Sequence, residues 1–215
     1  LSWADIQQAK MTVEVGLAHP VEYTEAERRT IATHESGHAT VAWLVGKGRK
    51  LDVLSIVKRK EALGMLVHSA EEERFTSTRS EIQALIEIAF GGMVAEETFF
   101  GEAGSGVAMD LQAATRFACM MVGSLGMGKT LISADAIEMP PGSGIVSKVL
   151  STDAGRDEVE ELLRTAKRSV KQMLDENRAV VEGLRDALLD REELVGPEIL
   201  EVIAQMKQAQ SAEKS

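Results

Sequence analysis

Two short stretches hold residue types whose spacing could do chemistry. The first, "HESGH" at 34–38, is an H-E-x-x-H pattern. A helix advances about 100° per residue, so His34 and His38 lie about 40° apart, one turn along the same face. Two imidazoles so placed can reach one Zn²⁺ at about 2.0–2.1 Å. Glu35 is offset around the helix, beside such a metal rather than bound to it. There it could take a proton from water and later give it to a leaving amine, the arrangement for peptide hydrolysis. The plainer alternative is a helix with two core histidines. Ile31, Val41 and Val45 put both rings on an apolar stripe, where two unpaired imidazoles would be costly. The second stretch, "GSLGMGKT" at 123–130, fits the phosphate-loop pattern G-x-x-x-x-G-K-[ST] at every defined position.

A catalytic zinc needs a third protein ligand and an open position for water. His68, Glu96, Glu97 and Asp110 are the candidates. His68 falls on a strand-like run, where a satisfied or exposed imidazole is the ordinary role. Asp110 follows a Gly-rich loop and opens a helix, a position for which an N-capping Asp is well suited. Spacing alone leaves the choice open.

A phosphate loop needs a buried strand before its first Gly and a helix starting at Lys-Thr. Leu111, Ala114, Ala118 and Val122 keep helical spacing instead, and Pro140 and Pro141 follow Thr130 closely. No apolar run ending in Asp supplies the acidic partner for Mg²⁺. Context therefore counts against a nucleotide site.

The elements that would position these residues are mostly helical. Apolar residues make up 44% of 215 and aromatics only 4%, a balance that favours packed helices over a β-sandwich. "TEAE" at 24–27 is a capping box opening a helix that carries "HESGH" and ends near "GKG" at 46–48. "LDVLSIVKR" and "ALGMLVHS" alternate like two strands around a turn near 60–62. They form a small hairpin or ribbon beside the active-site helix. "TRSE" at 78–81 is a second capping box, for a helix that the double Gly at 91–92 interrupts before "MVAEETFF" resumes it. Asp110 starts the next helix. Residues 126–150 read as irregular. From Asp153 the pattern is helical to the end: "DEVEELLRTAKRSVKQMLDENRAVVEGLRDALLD" holds one long helix and a second near 178–190, and "GPEILEVIAQMK" holds a third with Pro197 at its first turn. The chain divides into a lead-in helix and linker over 1–23, a metal-binding catalytic part over 24–150, a C-terminal helical part over 151–207 and a frayed tail over 208–215.

The net charge of −10 without a basic cluster argues against a nucleic-acid partner. The single Cys119 excludes an intrachain disulfide and fits a reducing compartment. No run approaches the roughly 20 apolar residues of a membrane span. The first residue is Leu, as expected of a piece of a longer polypeptide. The methionines read as core filler, and the acidic run "EEER" at 71–74 as solvated surface.

Taken in order, "YTEAERRTIATHESGHATVAWLVG", "ALGM", "TRSEIQALIEIAFGGMVAEETFFGE", "SGVAMDLQAAT" and "NRAVVEGLRDALLDREELVGPEI" resemble the peptidase domain of the FtsH family, AAA+ zinc proteases usually tethered to membranes. The resemblance covers about residues 1–205. It implies Zn²⁺ as cofactor, with His34, His38 and Asp110 as ligands and Glu35 as catalytic base. Glu96, the first Glu of "VAEE", corresponds to a family glutamate close to the metal that would orient a ligand histidine. "ALGM" corresponds to a cleft-edge strand to which an extended substrate could add. The resemblance also implies unfolded or membrane-associated proteins as substrate, a hexameric ring of identical chains, and an AAA+ ATPase domain elsewhere in the parent chain. The implied location is the cytoplasmic or equivalent face of a membrane. The family usually has Ala where Ser36 stands, and often Arg and Asn where Met93 and Met109 stand. An inactive helical scaffold and a nucleotide-binding module through 123–130 are the competing functional readings.

Overall fold

The computed structural model describes residues 22–59, 63–70, 72, 75–136 and 144–213. The lead-in helix expected over 1–19 and the turn at 60–62 lie outside these residues, as do three of the four positions of the acidic run at 71–74.

Helix α1, Glu25–Val45, starts where its capping box requires: the Thr24 side chain accepts from the Glu27 N–H, and the Glu27 carboxylate accepts from the Thr24 N–H. Strands β1, Arg49–Ser55, and β2, Met65–Ala70, pair antiparallel with Leu51 opposite His68 and Leu54 opposite Leu66. The register slips between Leu51 and Val53, so Asp52 is a bulge in β1 and the alternation along β2 is unbroken.

Helix α2, Arg79–Phe100, opens on the second capping box, Thr78 with Glu81. It runs unbroken through Gly91 and Gly92, where the sequence suggested an interruption. A 3₁₀ turn, Ser105–Val107, leads into α3, Ala108–Gly123. Helix α3 thus begins two residues before Asp110. Its N-terminus has no side-chain cap, so Asp110 is free of the capping role that its position suggested. Helix α4, Ile145–Leu150, lies inside the stretch read as irregular. It is only six residues long, and its buried contact is the single Val149.

Helix α5, Asp153–Glu176, buries Val159, Ala166, Val170 and Leu174 at helical spacing. Helix α6, Arg178–Arg191, leads to a third strand, β3, Glu193–Val195, that pairs antiparallel with the other side of β1. The sheet order is β2-β1-β3, which leaves β2 on an edge. Arg59 is anchored at the end of the described stretch that follows β1. Its buried guanidinium donates to Ser55 Oγ at 3.0 Å and to Glu193 Oε2 at 2.8 Å on β3. Helix α7, Gly196–Glu213, continues past 208, where a frayed tail was expected.

The structure is mainly α with one small sheet, as the composition indicated. One apolar core takes in α1, α2, α3, α5, α6 and α7. Val41, Val94, Met121, Val170, Leu184 and Ile199 all contribute to it and are fully or almost fully buried. Cys119 is one of its buried residues. No helix among the described residues is long and apolar enough to cross a membrane.

Candidate metal centre

The site is built where α1 crosses α2. The crossing is close because Gly37 faces Gly91: a Cβ on Gly37 would stand 2.3 Å from the Gly91 carbonyl oxygen. One residue on, the His34 ring lies against Gly92, where a Cβ would come within 2.4 Å of ring atoms. Three glycines thus make the room in which the first turns of the H-E-x-x-H segment and the middle of α2 share one surface.

Each histidine is held from behind. His34 Nδ1–H donates to Glu96 Oε1 at 2.6 Å, and His38 Nδ1–H donates to the Ile88 carbonyl at 2.7 Å. Neither a carboxylate nor a carbonyl can donate, so in the neutral rings both protons sit on Nδ1 and both Nε2 atoms carry lone pairs. Those two Nε2 atoms are 3.0 Å apart. Asp110 Oδ2, from the first turn of α3, lies 3.1 Å from one and 3.3 Å from the other. Three lone-pair atoms on three separate anchors therefore converge on one point. Such a cluster is repulsive unless a cation, either a proton or a metal ion, stands among its members.

A tetrahedral ion with ligands at about 2.0–2.1 Å sets neighbouring ligand atoms about 3.3–3.4 Å apart. The observed triangle is close to that size. Two imidazole nitrogens with one carboxylate oxygen also form a donor set that suits zinc. The residues present therefore fit the metal. Without a metal a proton takes that place: burial works to lower the pKa of the His34 ring, but hydrogen bonds to Asp110 and Glu96 outweigh it and raise the pKa to about 10, so the metal must displace a proton from Nε2. Burial likewise works to raise the Asp110 pKa, and its bonds to His34 and His38 hold the carboxyl well below the usual range instead.

Glu96 does a second job. Its other oxygen, Oε2, accepts the Gly104 N–H at 2.6 Å. One carboxylate thereby fixes the His34 tautomer and the loop that leads into α3 and Asp110. These bonds outweigh the effect of burial and lower its pKa.

Glu35 does not join the triangle. It is buried on α1, and burial raises its pKa against the opposing charges of His38 and His34. The backbone just before β2 passes directly over it: a Cβ on Gly64 would be 2.8 Å from its Cγ and Oε1. The remaining third-ligand candidates are engaged elsewhere. Glu97 pairs with Lys167 of α5 at 2.7 Å, and His68 Nδ1 accepts from Arg49 Nε at 2.7 Å.

Next to Glu35, the Ser36 hydroxyl is fully buried and has no hydrogen-bond partner among the described residues. A buried, unsatisfied hydroxyl costs about 1–3 kcal/mol. Ser36→Ala is therefore expected to raise stability in urea unfolding by about 1–2 kcal/mol and to leave metal content unchanged.

The segment 123–130 lacks the strand and the helix that a phosphate loop joins. Residues 108–123 are helix where a strand is required, and no helix starts at Lys129. The Lys129 ammonium instead pairs with the Glu161 carboxylate of α5.

Sequence reasoning missed the roles of Gly91, Gly92, Gly64 and Arg49. The available signal was the pairing of a Gly inside H-E-x-x-H with a double Gly in the next helix, since glycines in two neighbouring helix interiors mark a close crossing.

The sequence matches the model of Peptidase family M41 over residues 21–202. It is 30% identical over 209 residues to the ATP-dependent zinc metalloprotease FtsH of Nitrosococcus oceani, covering 93% of this chain and 33% of that protein. It is 33% identical over 193 residues to the protein of the same name from Methylococcus capsulatus, covering 83% and 30%. It is 30% identical over 215 residues to ATP-dependent zinc metalloprotease FtsH 4 of Synechocystis, covering 95% and 34%. The chain spans about a third of the length of these relatives.

Proposed function

The chain belongs to peptidase family M41, and on that footing we propose that it is a zinc-dependent endopeptidase domain in which His34, His38 and Asp110 hold the metal and Glu35 is the general base. The observation that carries this reading is the convergence of three lone-pair atoms, 3.0–3.3 Å apart, beside a buried carboxylate.

Zinc, when bound, supplies Lewis-acid chemistry that polarises a carbonyl and makes water more acidic. The chain's own residues do the rest. Glu96 and the Ile88 carbonyl hold the two rings in the tautomer that turns Nε2 to the metal. The Glu35 carboxylate takes a proton from the attacking water and delivers it to the leaving amine nitrogen. Burial favours this role by bringing its pKa toward the working range. Edge strand β2 offers unpaired backbone groups along which an extended peptide can lie.

The substrates are unfolded or membrane-associated proteins, delivered by an AAA+ ATPase domain in the parent chain. Six copies form the ring, in a reducing compartment beside a membrane. The relatives' names, ATP-dependent zinc metalloprotease, support the coupling to ATP and the metal; the substrates, the ring and the location rest on the family resemblance alone.

Elemental analysis is expected to give one zinc per chain. Cleavage of unfolded casein should disappear on chelation and return when zinc is restored. Full zinc with no cleavage of any unfolded protein, even by an assembled ring, would favour the inactive scaffold.

A further inference from the structure

His68 is a polar, titratable side chain on edge strand β2, and the mechanism above does not use it. Its direction follows from the strand. A Cβ on Gly64 would meet Ile31 Cγ2 and the Glu35 side chain, so that face of the β2 segment looks onto α1. Alternation puts Leu66 and His68 on the same face. Their cross-strand partners agree, since Leu54 and Leu51 are both in the core. His68 is also close enough to His38 to feel its charge. The order along this face of β2 is therefore Gly64 over the base, then an apolar Leu66, then an imidazole, on a strand that pairs with no other on its outer edge among the described residues.

Arg49 fixes the state of that imidazole. Its Nε–H donates to His68 Nδ1 at 2.7 Å, and a second guanidinium nitrogen lies 3.5 Å from the His68 carbonyl oxygen. A guanidinium can only donate, so Nδ1 must carry a lone pair and the ring proton sits on Nε2. Among the described residues no acceptor takes that Nε2–H. Burial and the Arg49 charge push the ring pKa down to about 4, so it stays a neutral donor at ordinary pH.

We propose that His68 is a specificity-determining residue of the cleft, and that its Nε2–H selects a hydrogen-bond-accepting side chain (Asn, Gln, Asp or Glu) on an extended peptide lying along β2. This rests on the peptidase reading of the site. Directly opposed residues on paired strands share a face. The selected side chain is thus four residues from the one that passes Gly64, about 13 Å at 3.3 Å per residue. An apolar side chain there would leave the imidazole N–H without a partner, whereas the position opposite Leu66 accepts apolar groups.

The test profiles cleavage of a library of unstructured peptides by the zinc-loaded chain. The expected result is enrichment of Asn, Gln, Asp or Glu at one fixed position. His68→Phe should lose that enrichment and His68→Gln should retain it. In ¹⁵N spectra of the Glu35→Gln chain, the His68 Nε2–H resonance should shift on adding a selected peptide. The same peptide with Leu at that position should bind about 3–10-fold more weakly. An unselective wild-type profile, or the same enrichment in His68→Phe, overturns the assignment. A wild type that cleaves no peptide overturns the peptidase reading; the His68 Nε2–H resonance is then followed with unstructured peptides rich in Asn or in Leu, and an equal response to both overturns the role of His68.

Discussion

Glu35→Gln is expected to keep one zinc per chain and to lower cleavage of unfolded casein by about 10²–10⁴-fold, the range for loss of a general base. The amide keeps the size and planarity of the carboxylate, so the close packing of Gly64 over it is preserved. It has no basic oxygen to take a proton. Glu35 is also not one of the three atoms that converge on the metal position. Asp110→Ala is the contrasting case. It removes one corner of the triangle and leaves two imidazole nitrogens 3.0 Å apart, so zinc content and activity should fall together. Two measurements on two variants thus separate the role proposed for Glu35 from the one proposed for Asp110. Casein digestion at the wild-type rate by Glu35→Gln would remove Glu35 from the mechanism. Unchanged zinc affinity in Asp110→Ala would pass the third-ligand role to another carboxylate, with Glu96 the nearest.

How far the sequence reached depended on how local each feature is. His34, Glu35 and His38 fall within five residues, and the period of one helix places them. The two capping boxes are equally local, and both helices start where Thr24 and Thr78 put them. Asp110 is different. It stands 76 residues from His34, and spacing gave no reason to prefer it over His68, Glu96 or Glu97. Family resemblance singled it out, while the geometry depends on α2 crossing α1 and on Glu96 holding the Gly104 loop. Strand β3 was missed because three residues cannot show an alternating pattern, and its pairing with β1 is decided across more than a hundred residues. The role of Arg49 was missed for a similar reason. It acts across a strand pair, on a histidine 19 positions away.

The double Gly was misread most usefully. Helix propensity counts each Gly as a cost of about 1 kcal/mol relative to Ala, which is why an interruption was expected at 91–92. The helix tolerates both because each meets a different part of α1, and Ala at the two positions should fail in different ways. A Cβ on Gly91 would meet backbone: His38 Cα at 2.7 Å, with Gly37 O and His38 N at 2.8 Å. Backbone in a packed helix cannot step aside, so the two helices must separate. Gly91→Ala should therefore destabilise the metal-free protein by about 1–3 kcal/mol in urea unfolding, even after its gain in helix propensity. For a Cβ on Gly92 the three nearest atoms would all belong to the His34 ring, at 2.4–2.6 Å. A side chain can rotate, so Gly92→Ala should fold as well as the parent or up to about 1 kcal/mol better. The rotation breaks the 2.6 Å bond to Glu96 and carries Nε2 out of the triangle. Loss of such an orienting contact alone costs about 10–100-fold in metal affinity, and displacing the ligand itself should cost at least that much. Titrating zinc into both metal-free variants, alongside their unfolding curves, checks the pair. A Gly92→Ala protein that binds zinc like the parent would show that the close crossing does not position His34.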